Sequence, residues 1–586
     1  MRRLFWSVIG LAICLHIQAT DIYLTPDSVL SDAIRHAREL RRTGKATEVT
    51  IYLAPGVYHL YEPLRLRPED SGLTIIGSKA IISGGLEINN WKRQGQYWVA
   101  DVPDFNGRPI DFRQLWINDT KAVRARSVSD FEQMPRILTY DKKNQILWVP
   151  KNAVEKIMKA PYAEMVLHEM WCTSNLRIKS LTADGDSVAV RFHDPEAKLQ
   201  FEHPWPSPMM PDTGHPSPFY LTNAKELVDE PGEWYHDILT RKLYYLPHEG
   251  EVLLLSAKGV KSFSATVPIL ETLIEVIGTA EYPVRNITIK GVEFSHTTWM
   301  RPSEKGHVPL QAGMYLTEAY KLRPSIDRPN NHKLDNQGWL GRAHASVELR
   351  HTENINFENC TFRHLGGSGL DYVIGCNGGT VSHCTFTDIA MNGMVVGSFS
   401  PEGLETHMPY SPTDYREICT KQTIEQSDFY DVSNEDWGCV AIAAGYVSEI
   451  NIDQNTIHDV SYTGISLGWG WNRDLVAMKN NRVHGNLIYH YAKHMYDCAG
   501  IYTLGNQPGT VIYENVVRDI AKPSYVHDPD HWFYLYTDEG SSNITIRDNW
   551  TPEEKFLKNA NGPGNIWENN GPQVSESIKL AAGCQN

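Results

Sequence analysis

Along most of the chain, apolar and polar residues alternate, the signature of half-buried strands rather than helices. One phrase recurs through the second half. It reads N-I-T-I-K-G-V-E-F from Asn286, N-I-N-F-E-N-C-T-F from Asn354 and T-V-S-H-C-T-F from Thr380. It continues as E-I-N-I-D-Q-N-T-I-H from Glu449, T-V-I-Y-E-N-V-V from Thr510 and N-I-T-I-R-D-N-W from Asn543. Each copy alternates, turns at Asn or a neighbouring polar residue, and opens another short strand. A second column lies out of phase, with G-L-D-Y-V-I-G at 369–375, G-M-V-V-G at 393–397 and C-V-A-I-A at 439–443. G-I-S-L-G at 464–468, G-I-Y-T-L-G at 500–505 and L-Y-T-D-E-G at 535–540 complete it. Two strand types repeated in order, joined by turns of variable length, predict a right-handed parallel β-helix with coils stacked at about 4.8 Å. Asn at the tight turns tolerates left-handed backbone angles and can ladder with its neighbours. A β-sandwich also supplies many short strands, but not the same two-strand phrase in fixed order.

The remaining chain departs from this rhythm in two places. Between Asp27 and Arg42, the apolar residues Leu30, Ala33, Ile34, Ala37 and Leu40 recur at helical spacing. A short amphipathic helix there would cover the open end of the stack, otherwise a strand edge inviting aggregation. Strands follow from Ile51 and Leu73. Between about 96 and 280 the Asn-turn phrase is missing, and Trp, Tyr and Pro are abundant. Hairpin-like segments such as Q-L-W-I-N-D-T-K-A-V from Gln114 and K-L-Y-Y-L-P from Lys242 predict an inserted antiparallel β-domain, sandwich-like in character. The expected order is an all-β chain with cap and first coils over 20–95, insertion over 96–280, and main helix over 281–586, resuming near Arg285.

Residues 1–19 form a secretory leader, with Arg2 and Arg3 ahead of an apolar Leu4–Ile17 run and Ala19 for cleavage. Export to the periplasm or outside the cell is expected. No other apolar run approaches membrane length, so no membrane insertion is expected. The formal net charge is −15, or about −17 once Arg2 and Arg3 are lost. That balance argues against nucleic acid and mildly against a densely anionic polymer, although a local basic patch overrules an average. Eight cysteines remain beyond Cys14, with no CxxC pair and no metal-ligand spacing. Cys360 and Cys384, in matching N-C-T-F and H-C-T-F contexts, read as stacked buried thiols; export keeps a disulfide chemically open. No cofactor or metal is implied, and a monomer is expected.

Chemistry on a β-helix belongs on an outer face or in long turns, because the coil interior is packed. Long turns at 400–421, 469–476 and 521–533 all flank the second column, which places a groove there. Asp497, closing H-M-Y-D, and Asp538, within Y-T-D-E-G, belong to neighbouring coils. Two carboxylates so placed suit glycosidic cleavage, one protonating the leaving oxygen and the other attacking the anomeric carbon or activating water. Either Asp also suits a turn cap. Glu539 competes with Asp538, since adjacent strand residues face opposite ways. Asp371 and Asp436 are weaker acids in earlier coils. Trp469 and Trp471 offer flat faces to a sugar or packing under a loop. His494 suits orienting a carboxylate or hydroxyl, or a structural role, and Tyr502 lies beside them.

Y-D-C-A-G-I-Y-T-L-G-N-Q-P-G-T at 496–510 and Y-T-D-E-G-S-S at 536–542 resemble glycoside hydrolase family 141. D-E-P-G-E-W-Y-H-D at 229–237 and K-L-Y-Y-L-P at 242–247 extend the resemblance into the insertion, and it covers nearly the whole mature chain. It implies a β-helix with an inserted β-domain, and activity as an α-L-fucosidase on the pectin rhamnogalacturonan II or as a xylanase. The family's proposed pair of aspartates maps onto Asp497 and Asp538. One departure is Cys498-Ala499, where small or glycine residues are usual. The β-xylosidases of family 120 share the architecture, and a polysaccharide lyase or a carbohydrate-binding adhesin could use the same scaffold. An oligosaccharide or polysaccharide partner is expected, with exo-acting α-L-fucosidase preferred.

Overall fold

The computed structural model describes residues 19–585 apart from 204, 252–262, 320–337 and 402–403; the leader, expected over 1–19, lies almost wholly outside them. The two recurrent phrases become two parallel sheets, of nineteen and ten strands. Every copy of the first phrase enters the large sheet and every copy of the second enters the ten-stranded one.

Register explains why the coil holds. One inward column runs Ile75, Ile289, Phe357, Val381, Ile424, Ile452, Val483, Ile512, Ile546, each residue the partner of the next. A second, past the turn, runs Phe294, Phe362, Phe386, Phe429, Ile457, Ile488, Val517. Within it, Phe362, Phe386 and Phe429 stack almost parallel, at 4.6 and 4.4 Å between ring centres. All these side chains are buried, and each contributes roughly 1.5–3 kcal/mol of burial free energy. A one-residue slip would turn a whole column to solvent, so register is tightly specified.

Between these columns the turn divides its work between adjacent residues. The ladder is built by Asn455, Asn486, Asn515, Asn549 and Asn570, each side-chain amide donating to the next at 2.8–3.0 Å. The left-handed angle falls one residue earlier, on Gln454, Gly485, Glu514, Asp548 and Asn569. Cys360 and Cys384 occupy the same step in earlier coils as free, buried thiols, the Cys360 N–H donating to Cys384 Sγ at 3.4 Å. A ladder amide satisfies buried backbone groups that a hydrophobe would leave unpaired.

Leu30–Arg42 is helical and buries Leu30, Ala33, Ile34 and Ala37, capping the first coil. Between Leu73–Ser83 and Ile274–Ile277 the chain leaves the coil, and its described residues form three small, almost wholly antiparallel sheets. One wraps Trp98, Trp234, Tyr245 and Leu243 into a separate core. Parallel pairing resumes at Ile274–Ile277, between Leu64–Leu66 and Ala345–Arg350 and ahead of Arg285. That strand carries no Asn-turn phrase. The insertion folds back on the coil: Trp116 donates to Asp388 (2.9 Å), Gln114 to Glu435 (2.9 Å), and Arg136 to the Tyr525 carbonyl (2.8 Å). Among the described residues no helix is long and apolar enough to cross a membrane.

Candidate active site

Cys498–Thr503 and Trp532–Thr537 are neighbours in the ten-stranded sheet, with Cys498 opposite Trp532 and Thr503 opposite Thr537. Asp497 therefore precedes one strand and Asp538 follows the other, at opposite ends of adjacent rungs. Two glycines shape the strand and the turn. At Gly500 an added Cβ would fall 2.3 Å from Val517 Cγ1, so the strand presses directly on the core. Gly540 has φ +77° and no room for a Cβ, which would lie 2.1 Å from the Asn472 carbonyl oxygen; this tight turn fixes Asp538.

Asp497 sits at φ 54°, its N–H donating to the His531 carbonyl at 2.7 Å and its carbonyl accepting from the Tyr462 hydroxyl at 2.9 Å. Its carboxylate, 21% exposed, lies 3.2 Å from His531 Nε2, and this contact raises the His531 pKa. Asp538 is more enclosed, at 9% exposure. It accepts from the Tyr502 hydroxyl at 2.5 Å and from Asn559 Nδ2 at 2.7 Å. Burial pushes its carboxyl up to about 6; the two donors pull it down, and the Asp497 charge adds to the rise. Tyr536, opposite Tyr502 and edge-on to it at 5.0 Å, lies near enough to both acids for each to raise its pKa, after the larger effect of burial.

A family model, the GH141 insertion domain, matches residues 95–248. A solved structure named "Glycoside hydrolase" is 56% identical, with a TM-score of 0.93, covering 96% of this chain and 99% of its own. The chain belongs to glycoside hydrolase family 141. A structure described as XylC with xylose is 12% identical over 92% of this chain and 70% of its own, with a TM-score of 0.45. PfbA, a surface adhesin of Streptococcus pneumoniae, is 11% identical over 95% and 93%, at 0.34. Neither distant likeness informs the site. No curated protein matches the chain.

In this family 141 chain the structure brings Asp497, Asp538 and Tyr502 together and distributes the other candidates. Glu539 turns its side chain to solvent while its backbone N–H serves the Asp538 carboxyl. Asp371 does not join the pair. It lies on the same outward column as Tyr502 but four strands away, about 19 Å at the usual strand spacing, ion-paired with Arg342 at 2.9 Å. Asp436 is buried against His307 Nε2 at 2.9 Å. Trp469 is buried, with Nε1 donating to Thr406 at 3.0 Å, so it presents no face to a ligand. Trp471 packs on Trp469 and His407 in a turn that abuts Gly540. His494 faces away from the acids: it stacks on Trp437 at 4.3 Å and contacts the Tyr525 hydroxyl, and burial lowers its pKa to about 3. Sequence reasoning missed Tyr536, His531, Asn559 and Tyr462. Tyr536 stood inside a quoted phrase; the other three carry no repeat signal.

Proposed function

We propose that the chain is an exported, exo-acting α-L-fucosidase that cleaves pectin fragments of the rhamnogalacturonan II type with Asp497 and Asp538. The observation that carries the acid pair is the enclosure of Asp538: burial pushes its carboxyl up to about 6, Tyr502 and Asn559 are neutral donors to it, and the more exposed Asp497 lies near enough to add to the rise. With substrate bound, the protonated Asp538 carboxyl gives its proton to the leaving oxygen. The Asp497 carboxylate, beside His531, is left facing the anomeric carbon or a water.

Exo action is supported by the wall around the site. The 521–533 turn is tied to the insertion through Arg136 on the Tyr525 carbonyl, Glu132 on Ser524 and His215 against His527. A turn so braced favours a pocket over an open cleft. The preference for fucose rests on the family resemblance of the 496–510 and 536–542 phrases.

The test is sugar release from rhamnogalacturonan II fragments and from xylan by wild type, Asp497→Asn and Asp538→Asn. Fucose released by wild type and lost in both variants is the expected result. Xylose products would keep the acid pair and replace the substrate. Unsaturated uronate ends, or activity surviving both substitutions, would overturn the mechanism.

A further inference from the structure

A cavity of about 250 Å³ lies between the insertion and the coil, and its lining includes neither Asp497 nor Asp538. Its walls are of two kinds. His494, Tyr220 and Phe131 form an aromatic lining, backed by Trp437, which is 2% exposed and stacked face to face on His494. Arg113, Lys121, Arg124 and Arg126 bring four cations, and Glu435 is the one acidic lining residue. Behind the wall, Glu164 is shared: Arg113 and Arg124 both bind it, at 2.9 Å each, and the crowding of the two guanidiniums helps lower the Arg113 pKa after burial. Lys121 is matched by Glu435 and Asp388. Arg126 lies over the Phe131 ring at 4.6 Å, and Glu233 accepts from its backbone N–H and from those of Asp229 and Glu230. The Arg124 Nε is buried without a partner. Glu164, Glu435 and Asp388 thus answer Arg113, Arg124 and Lys121, whereas Arg126 forms no ion pair among the described residues, in a protein whose formal net charge is −15.

We infer that this cavity binds a carboxylated sugar residue, a uronosyl unit of an oligosaccharide, apart from the Asp497–Asp538 pair. The chemistry follows from the walls. Aromatic faces take the C–H face of a pyranose ring, and an arginine fork takes its carboxylate, with charge-assisted bonds about twice as strong as neutral ones. The available volume suits one sugar ring with its first-shell water. His494, neutral because burial lowers its pKa, is part of the aromatic wall rather than a proton carrier. The insertion supplies the cations and the coil supplies Trp437 and His494, so neither forms the site alone. The proposal takes its ligand class from the carbohydrate reading of the chain. Its test reads binding, so it stands or falls separately from fucosidase activity.

The experiment is calorimetric titration of the full chain with D-galacturonate and, as the uncharged control, D-galactose. Wild type should bind galacturonate, with galactose about tenfold or more weaker. Arg126→Gln should erase that preference while its melting temperature stays that of wild type. Tyr220→Leu should weaken both sugars but keep the preference. Asp497→Asn and Asp538→Asn should bind galacturonate as wild type does. Equal affinity for the two sugars, or binding of neither, would overturn the proposal. So would a preference that survives Arg126→Gln but vanishes in the aspartate variants, because the uronate would then occupy the catalytic pair.

Discussion

Asp371 and Asp538 sit near the same outward face of the ten-stranded sheet, five rungs apart in order, and burial raises both carboxyls, to about 7 and about 6. Their partners differ in kind. Asp371 is matched by a cation, Arg342, which also donates to the Gly397 carbonyl and ties two coils together. Asp538 is matched by neutral donors, Tyr502 and Asn559, with a second acid, Asp497, near enough to add to the rise in its pKa. An ion pair fixes charge in place; neutral donors let a carboxyl gain and lose a proton without stranding a partner. The same residue type on the same scaffold is therefore a brace in one place and a candidate acid in the other.

The comparison breaks most sharply by substitution. Asp538→Asn keeps shape and hydrogen-bonding capacity, so it should leave the melting temperature nearly unchanged and cut kcat by roughly 10²–10⁴-fold. Asp371→Ala should do the reverse. It leaves the Arg342 guanidinium, 18% exposed, without its carboxylate and should cost about 3 kcal/mol in denaturant unfolding, with kcat per folded molecule unchanged. A fall in kcat in both variants would erase the distinction.

Protonation sharpens it further. If Asp538 is the proton donor, kcat/KM should fall as pH rises through about 6, the value burial gives its carboxyl. Stability carries the same sign. A carboxyl whose folded pKa is raised binds more protons folded than unfolded, so its contribution is complete below about pH 4 and is lost as pH rises through the folded value. Unfolding free energy should therefore decline between pH 4 and 6, and Asp538→Asn should remove its share of that decline, on the order of 3 kcal/mol. An unchanged slope in the variant would place the raised pKa elsewhere.

What the sequence disclosed follows from what repeats. The two strand columns are legible because each phrase is stamped several times, and the acids are legible because their phrases resemble a family's. Ile274–Ile277 has no second copy of its pattern and reads as insertion until its parallel partners are seen. Ladder and left-handed turn looked like one task for one Asn, whereas Gln454 and Asn455 divide it. His494 stands three residues from Asp497, yet the chain reverses at Asp497, φ 54°, and the imidazole goes to Trp437 instead. Tyr536 alternates outward as any strand residue would, but its reach to Asp497 depends on packing two coils together, which no local pattern records.

The smallest effect tests the neutral donors themselves. Tyr502 donates to Asp538 Oδ2, and that bond favours the ionised form, opposing the rise that burial causes. Tyr502→Phe removes the hydroxyl and keeps the ring against Tyr536, so the Asp538 pKa should climb. A hydrogen bond to a charged group is worth about 1.5–3 kcal/mol, so the descending limb of kcat/KM should move to higher pH by about one unit. Below the limb, where Asp538 is protonated in both proteins, the rates should agree within a few fold. The equivalent change beside Asp371, Arg342→Gln, should leave that limb where it is, because Asp371 lies too many strands away to touch the proton on Asp538. A limb that stays put in Tyr502→Phe would mean that the titrating group is not Asp538, and the brace and the acid would lose the chemical difference that separates them.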